Sequence, residues 1–166
     1  SVEHRITAAQ VHFHARKAQL CCKHVALPKR FARLYGTVMQ SLFWGSGGWT
    51  LTRGLLSRLE AVEMSFLRRM LQLSRKEGDG FGHYQNLSAM IARKLLTSYG
   101  IEPLSVRVLK AKHGWAGHVA RSPPACPLGR LLRFRSLSWW KEAQSVMPKL
   151  DSQNRSQWRH SKPGRF

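Results

Sequence analysis

Acidic side chains are what this 166-residue sequence most lacks: 8 Asp and Glu stand against 28 Lys and Arg, a formal net charge of +20 at pH 7. Between Glu3 and Glu60 there is no acidic residue at all, while Arg5, Arg16, Lys17, Lys23, Lys29, Arg30, Arg33, Arg53 and Arg58 are all basic. So one-sided a run repels itself unless a polyanion relieves it, and nucleic acid is the first candidate. Anionic membrane is the second, because basic amphipathic helices bind both.

The shortage of carboxylates also limits the chemistry. Two-metal catalysis needs paired carboxylates, whereas Asp79 and Asp151 stand alone in flexible surroundings. No Gly-x-Ser-x-Gly occurs, no Cys/His/Asp trio has nucleophile spacing, and the glycines near position 45 lack the spacing of a phosphate-cradling loop. Nothing in the sequence ties His118 to Glu60 or Glu63 as an acid–base pair, and a helical His beside Trp115 is more often a packed, hydrogen-bonded residue. The chain by itself is expected not to be an enzyme and to need no cofactor.

Cysteine is scarce too. Cys21 and Cys22 are adjacent and Cys126 is the third, which cannot make a disulfide framework, so a reducing intracellular compartment is expected, nucleus or cytoplasm left open. His14, Cys21 and Cys22 share a general helical face, with His4, His12 and His24 nearby. Without a C-x2-C or H-x3-H pair, buried thiols and solvated histidines are expected rather than a metal site. No apolar run reaches transmembrane length and no signal-peptide pattern opens the chain. Because it begins on Ser1, the sequence is expected to be a fragment or a processed product.

What is present is helix-forming. With 43% hydrophobic residues and 6 Trp, the chain has material for a core, unlike a disordered basic tail. Val2 to Val25 lacks Gly and Pro, and offers two stripes: Val11, Ala15, Ala18, Cys22 and Val25, or Ile6, Ala9, Phe13 and Leu20. Pro28 suits the first turn of a second helix carrying Phe31, Leu34, Tyr35, Val38, Met39 and Leu42. Lys29, Arg30 and Arg33 crowd its first turns, where they oppose the helix dipole, and phosphate binding would explain them.

Gly45, Gly47 and Gly48 predict a helix–helix corner with Trp44 and Trp49 packed across it. Thr52 is the expected N-cap of a long helix whose stripe is Leu55, Leu59, Val62, Phe66, Met70 and Leu73, with Arg58, Ser65, Arg68, Arg69 and Gln72 largely off it. Ser74 to Asn86 reads as a loop or disordered insertion. Leu87, Met90, Ile91, Lys94 and Leu95 predict a helix that Gly100 stops.

Glu102-Pro103 opens the next helix, with Leu104, Val108, Ala111, Trp115 and Val119 on its buried side and Arg107, Lys110, Lys112, His113 and Arg121 supplying charge. Gly114 and Gly117 within it should cost about 1 kcal/mol each relative to Ala, so close approach of a neighbouring helix is expected. Gly114-x-x-Gly117 has an apolar middle and no sheet around it, which argues against a KH-type loop. After Ser122-Pro123-Pro124, the stretch from Arg130 to Met147, with Trp139 and Trp140, has room for a short helix, and Pro148 to Phe166 is expected to be disordered. The expected fold is all-α: an irregular bundle of about five helices over 1–121, then a Pro-containing linker and basic tail over 122–166.

Two segments carry a family resemblance. Phe43-Trp44-Gly45-Ser46 and Trp49-Thr50-Leu51-Thr52 precede Arg58-Leu59-Glu60-Ala61-x-Glu63-Met64-x-x-Leu67-Arg68-Arg69-x-Leu71, and Gly114-Trp115-Ala116-Gly117-His118-Val119-Ala120-Arg121 follows later. This order, from Arg5 to Arg121, resembles the segment after the polymerase palm in non-LTR (LINE-type) retrotransposon reverse transcriptases. Gly47 and Gly48 depart from that family's turn, and Ala116 stands where it commonly has Leu.

The resemblance implies a non-catalytic thumb or connection region lying against the template-primer hybrid and the element's RNA. The upstream polymerase domain of the same polyprotein is then a further partner. Trp44, Gly45, Trp49, Trp115, Gly117 and His118 are the family-motif positions, expected to anchor packing, with Trp49 and Trp115 largely buried. Lys29, Arg30, Arg33, Arg53, Arg68, Arg69, Lys110, Lys112 and Arg121 flank the apolar stripes and are the candidate contacts to RNA or DNA phosphates. Two alternatives stand beside this reading: a basic helical module docking an acidic protein or anionic membrane, and a decayed retroelement remnant without function.

Overall fold

Helices α1 (Val2–Ala15) and α2 (Lys17–Leu20) divide a stretch whose composition predicts one helix to Val25. Ser1 caps α1, its hydroxyl accepting from the His4 amide at 3.5 Å, and the backbone departs from helix at Arg16. Of the two stripes, Ile6, Ala9, Phe13 and Leu20 are buried while Val11, Ala15 and Ala18 face water. The larger apolar area wins. Phe13 stacks on Phe66 with ring centroids 5.0 Å apart.

The computed structural model describes residues 1–120, 122, 123 and 125–130. The expected short helix within Arg130–Met147 and the disordered basic tail lie outside the described residues. Among the described residues there is no strand, and the fold is all-α as the periodicities predict. No described helix is long and apolar enough to cross a membrane.

Next come α3 (Leu27–Arg33), a π-helical turn (Leu34–Val38) and α4 (Met39–Phe43). Pro28 sits in the first turn of α3, where its missing N–H is no loss. Phe31, Leu34, Val38, Met39 and Leu42 are buried, on the predicted stripe. The Thr37 hydroxyl donates to the Arg33 carbonyl at 2.7 Å, occupying the acceptor that its own amide would take in an α-helix. α1 packs against this π turn and α4.

After a 3-10 turn (Ser46–Gly48), α5 (Arg53–Leu71) begins at the predicted cap: the Leu55 amide donates to Thr52 Oγ1 at 3.1 Å. It buries Leu59, Phe66, Leu67 and Met70. The helix ends with Gln72 left-handed (φ 56°) and the Leu73 amide donating back to Arg68 O at 3.0 Å.

α6 (Phe81–Ser98) starts inside the stretch expected to be loop. Its buried line is Ser88, Ala92 and Leu96, whereas Leu87 and Met90 are exposed. Ser88 and Ala92 let the helix sit close, so the line of three residues spaced by four is buried in place of the bulkier one. Gly100 stops the helix as expected, with φ 65°, its amide on Thr97 O at 3.0 Å and the Ile101 amide on Leu96 O at 2.9 Å. Gly100→Ala is expected to cost about 1 kcal/mol, the left-handed penalty of a Cβ, read as a lower urea midpoint at unchanged slope.

α7 (Leu104–Ala120) and α8 (Pro127–Arg130) complete the described chain. The residues group into two compact units, one from Ser1–Trp44 and Ser57–Leu104, the other from Gly45–Leu56 and the described part of Ser105–Phe166. In the second, Leu51, Val108, Leu109, Ala116 and Val119 are buried, while Ala111, expected inside, is exposed.

Candidate nucleic-acid interface

The last turns of α5 carry Arg68 and Arg69 into an open cleft of about 670 Å³, in the size range of ligand sites. Lys23, from the segment after α2, and Ser65, Ser74 and Tyr84 line it with them. The walls are tied together by side chains that bond backbone. Gln72 Nε2 donates to Cys21 O at 2.7 Å, Cys21 Sγ to Arg69 O at 3.4 Å, and the Tyr84 hydroxyl to Leu73 O at 2.8 Å. Gln72 thus holds its left-handed backbone with a long-range bond, which fixes the direction in which the chain leaves α5.

No carboxylate lines this cleft, and among the described residues none comes within ion-pairing distance of Lys23, Arg68 or Arg69. Arg58 contrasts with them: it is bound to Glu3 at 2.5 Å. Cations in a last helical turn also favour the dipole of α5, which is the ordinary role for Arg68 and Arg69. The dipole alone does not require a third cation from another segment. Three cations and hydroxyl donors around one opening can hold phosphate oxygens without reading bases.

The same unit holds a smaller pocket of about 240 Å³ between α5 and α6, with Met64, Leu96, Ile101 and Leu104 as apolar walls and Glu60, Glu63 and Arg93 as polar members. Glu63 is buried and accepts from the Tyr35 hydroxyl at 2.8 Å. Two glutamates make this pocket hostile to phosphate.

Of the candidate phosphate contacts, Lys29, Arg33, Arg53, Arg69 and Lys110 are exposed and Arg68 is half-buried. Lys29, Arg33, Arg68 and Arg69 belong to the first unit, Arg53 and Lys110 to the second. Arg68 and Arg69 line one cleft together. Arg121 lies outside the described residues.

Arg30 and Lys112 are corrected. Arg30 is buried, its Nε donating to Leu20 O at 2.6 Å and Nη2 to Met70 O, so it closes the carbonyl ends of α2 and α5. Lys112 is 1% exposed and its Nζ donates to Trp49 O at 3.0 Å. Both side chains point inward and donate to backbone carbonyls.

The motif residues divide similarly. Trp44, expected to pack across the corner, is 67% exposed, with the Arg5 guanidinium 4.2 Å from its ring centroid. Gly45 is left-handed (φ 77°). Trp49 is partly covered, in keeping with its expected packing role, whereas Trp115, expected to be largely buried, is 36% exposed. Trp115 instead uses its root, since a Cβ on Gly47 would lie 2.7 Å from Trp115 Cβ. That is the close approach expected of Gly114, which has open space around it. Gly117 is buried, while His118 is exposed, its ring 5.6 Å from that of Trp115.

Sequence reasoning missed Lys23, Ser65, Ser74 and Tyr84 as cleft members. Ser65 stands at helical spacing with Arg68 and Arg69, a signal that could have found it, whereas Lys23 comes from a distant segment and Ser74 and Tyr84 fell in the stretch read as loop. Among the described residues no group of three His, Cys, Asp or Glu is placed to hold a metal ion. No family model matches this chain, and no curated protein or solved structure does either.

Proposed function

We propose that this chain is a non-catalytic helical nucleic-acid-binding segment, engaging RNA or DNA mainly through phosphates, as part of a retroelement reverse transcriptase. The observation that carries the binding is the carboxylate-free cleft where Arg68 and Arg69 meet Lys23. A net charge of +20 supplies long-range attraction to the same partner. The retroelement part of the reading rests on motif order alone: the Trp44 corner, the Arg58–Leu71 pattern and the Trp115 to Arg121 signature.

The test is salt dependence. The full chain should bind mixed-sequence RNA and DNA with little preference, the log–log slope scaling at about −0.7 to −0.9 per neutralised phosphate. Replacing Arg68 and Arg69 together with Gln should make that slope shallower by roughly 1 to 2 while leaving the fold intact. An unchanged slope in the double variant, with affinity equal for RNA and heparin, means that bulk charge alone binds and the cleft is no contact surface. Binding to anionic vesicles in place of RNA would favour a membrane-surface module.

A further inference from the structure

We propose that Trp44, with Arg5 laid over one face, is a stacking platform for an unpaired nucleobase. The proposal rests on the nucleic-acid reading above and adds a second site, of different chemistry, to the phosphate cleft.

Trp44 has 67% of its surface exposed, more than any other large hydrophobic residue described. An indole is ordinarily buried for its large apolar area. α4 ends at Phe43, Trp44 leaves it with extended backbone (φ −58°, ψ 121°), and Gly45 turns the chain away in the left-handed region. The ring is therefore displayed by the corner rather than folded into it. The guanidinium of Arg5, from α1, lies 4.2 Å from the ring centroid and covers one side. With one face covered and two-thirds of the residue still accessible, the opposite face is open.

This combination fits a base in two ways. A flat π surface accepts any base, whatever its sequence. A ring already pinned by a cation has less rotational freedom to lose when a ligand arrives. An indole stacked on a base adds affinity that does not depend on counterion release, in contrast to the cleft. The ligand class is single-stranded nucleic acid, because a paired base has no free face to offer.

The full chain is titrated with a labelled single-stranded RNA, with the same strand carrying abasic nucleotides, and with the matching duplex. Trp44→Ala should weaken single-strand binding about ten- to a hundredfold, leave duplex affinity within about twofold, and leave the salt slope unchanged. Trp44→Phe should restore most of the loss. Wild-type affinity should drop on abasic RNA, and Trp44→Ala should show no further drop. That comparison holds even if one variant proves less stable. Wild-type affinity in Trp44→Ala alongside a working Arg68/Arg69 effect overturns stacking and leaves the cleft standing. No binding of any nucleic acid by wild type overturns both. A Trp44→Ala loss confined to phosphatidylserine vesicles overturns stacking in favour of membrane insertion.

Discussion

Arg30→Met should lower the melting temperature by roughly 10 °C, the largest stability loss expected from any basic residue in the chain. Arg30 Nε and Nη2 donate to Leu20 O and Met70 O, the carbonyl ends of two helices. Met keeps most of the stem and removes both donors. A hydrogen bond from a charged group is worth about 1.5–3 kcal/mol, and a buried carbonyl left alone costs about 1–3 kcal/mol. Removing a buried guanidinium also removes its desolvation penalty, which offsets part of the loss. The net should be about 3 kcal/mol, and each kcal/mol shifts a chain of this size by roughly 2–4 °C. Arg30→Lys should fall between, with a single ammonium for two divergent acceptors. Lys29→Ala and Arg33→Ala, at exposed positions, should stay within about 0.5 kcal/mol. If Arg30→Met melted like wild type and instead flattened the salt slope of RNA binding, its inward assignment would be wrong.

Both buried cations were legible by position and were misread by charge. Arg30 stands four residues before Leu34 and eight before Val38, on one buried line. Lys112 lies on the line Leu104, Val108, Lys112, Ala116, again at four-residue spacing. A Lys or Arg on such a line can still be buried when a helix end or turn offers carbonyls, because its long stem packs as an apolar residue and its head bonds backbone. Assigning every basic residue to the polar face ignored that option.

The α3–α4 stripe, the Thr52 cap and the Gly100 stop were readable because each rests on local geometry alone. The start of α6 was not. Gly80 and Gly82 flank Phe81, and their breaker character outweighed the helical bonds that the following residues make. Nor was the cleft readable, since Lys23, Arg69 and Tyr84 lie far apart in the sequence and are brought together by tertiary bonds such as Gln72 Nε2 to Cys21 O.

Gly47→Ala should destabilise the second unit by about 1–3 kcal/mol, the usual cost of overpacking, while Gly48→Ala, at the next residue but facing open space, should be nearly neutral. A Cβ on Gly47 would lie 2.7 Å from Trp115 Cβ and 2.9 Å from Ala111 O. Carbon atoms in contact prefer about 3.5–4.0 Å, and neither neighbour is the free end of a flexible chain. Both are fixed to the backbone of α7, so the 3-10 turn has to back away from that helix. That movement carries Trp49 with it and stretches the 3.0 Å bond from Lys112 Nζ to Trp49 O, so a buried ammonium loses part of its solvation. Steric and polar costs therefore add. Trp115→Ala should not rescue Gly47→Ala, because it keeps the clashing Cβ; Trp115→Gly should relieve the contact at that atom, at its own cost to α7. Equal melting temperatures for Gly47→Ala and Gly48→Ala would show that the turn does not rest on α7 at Trp115.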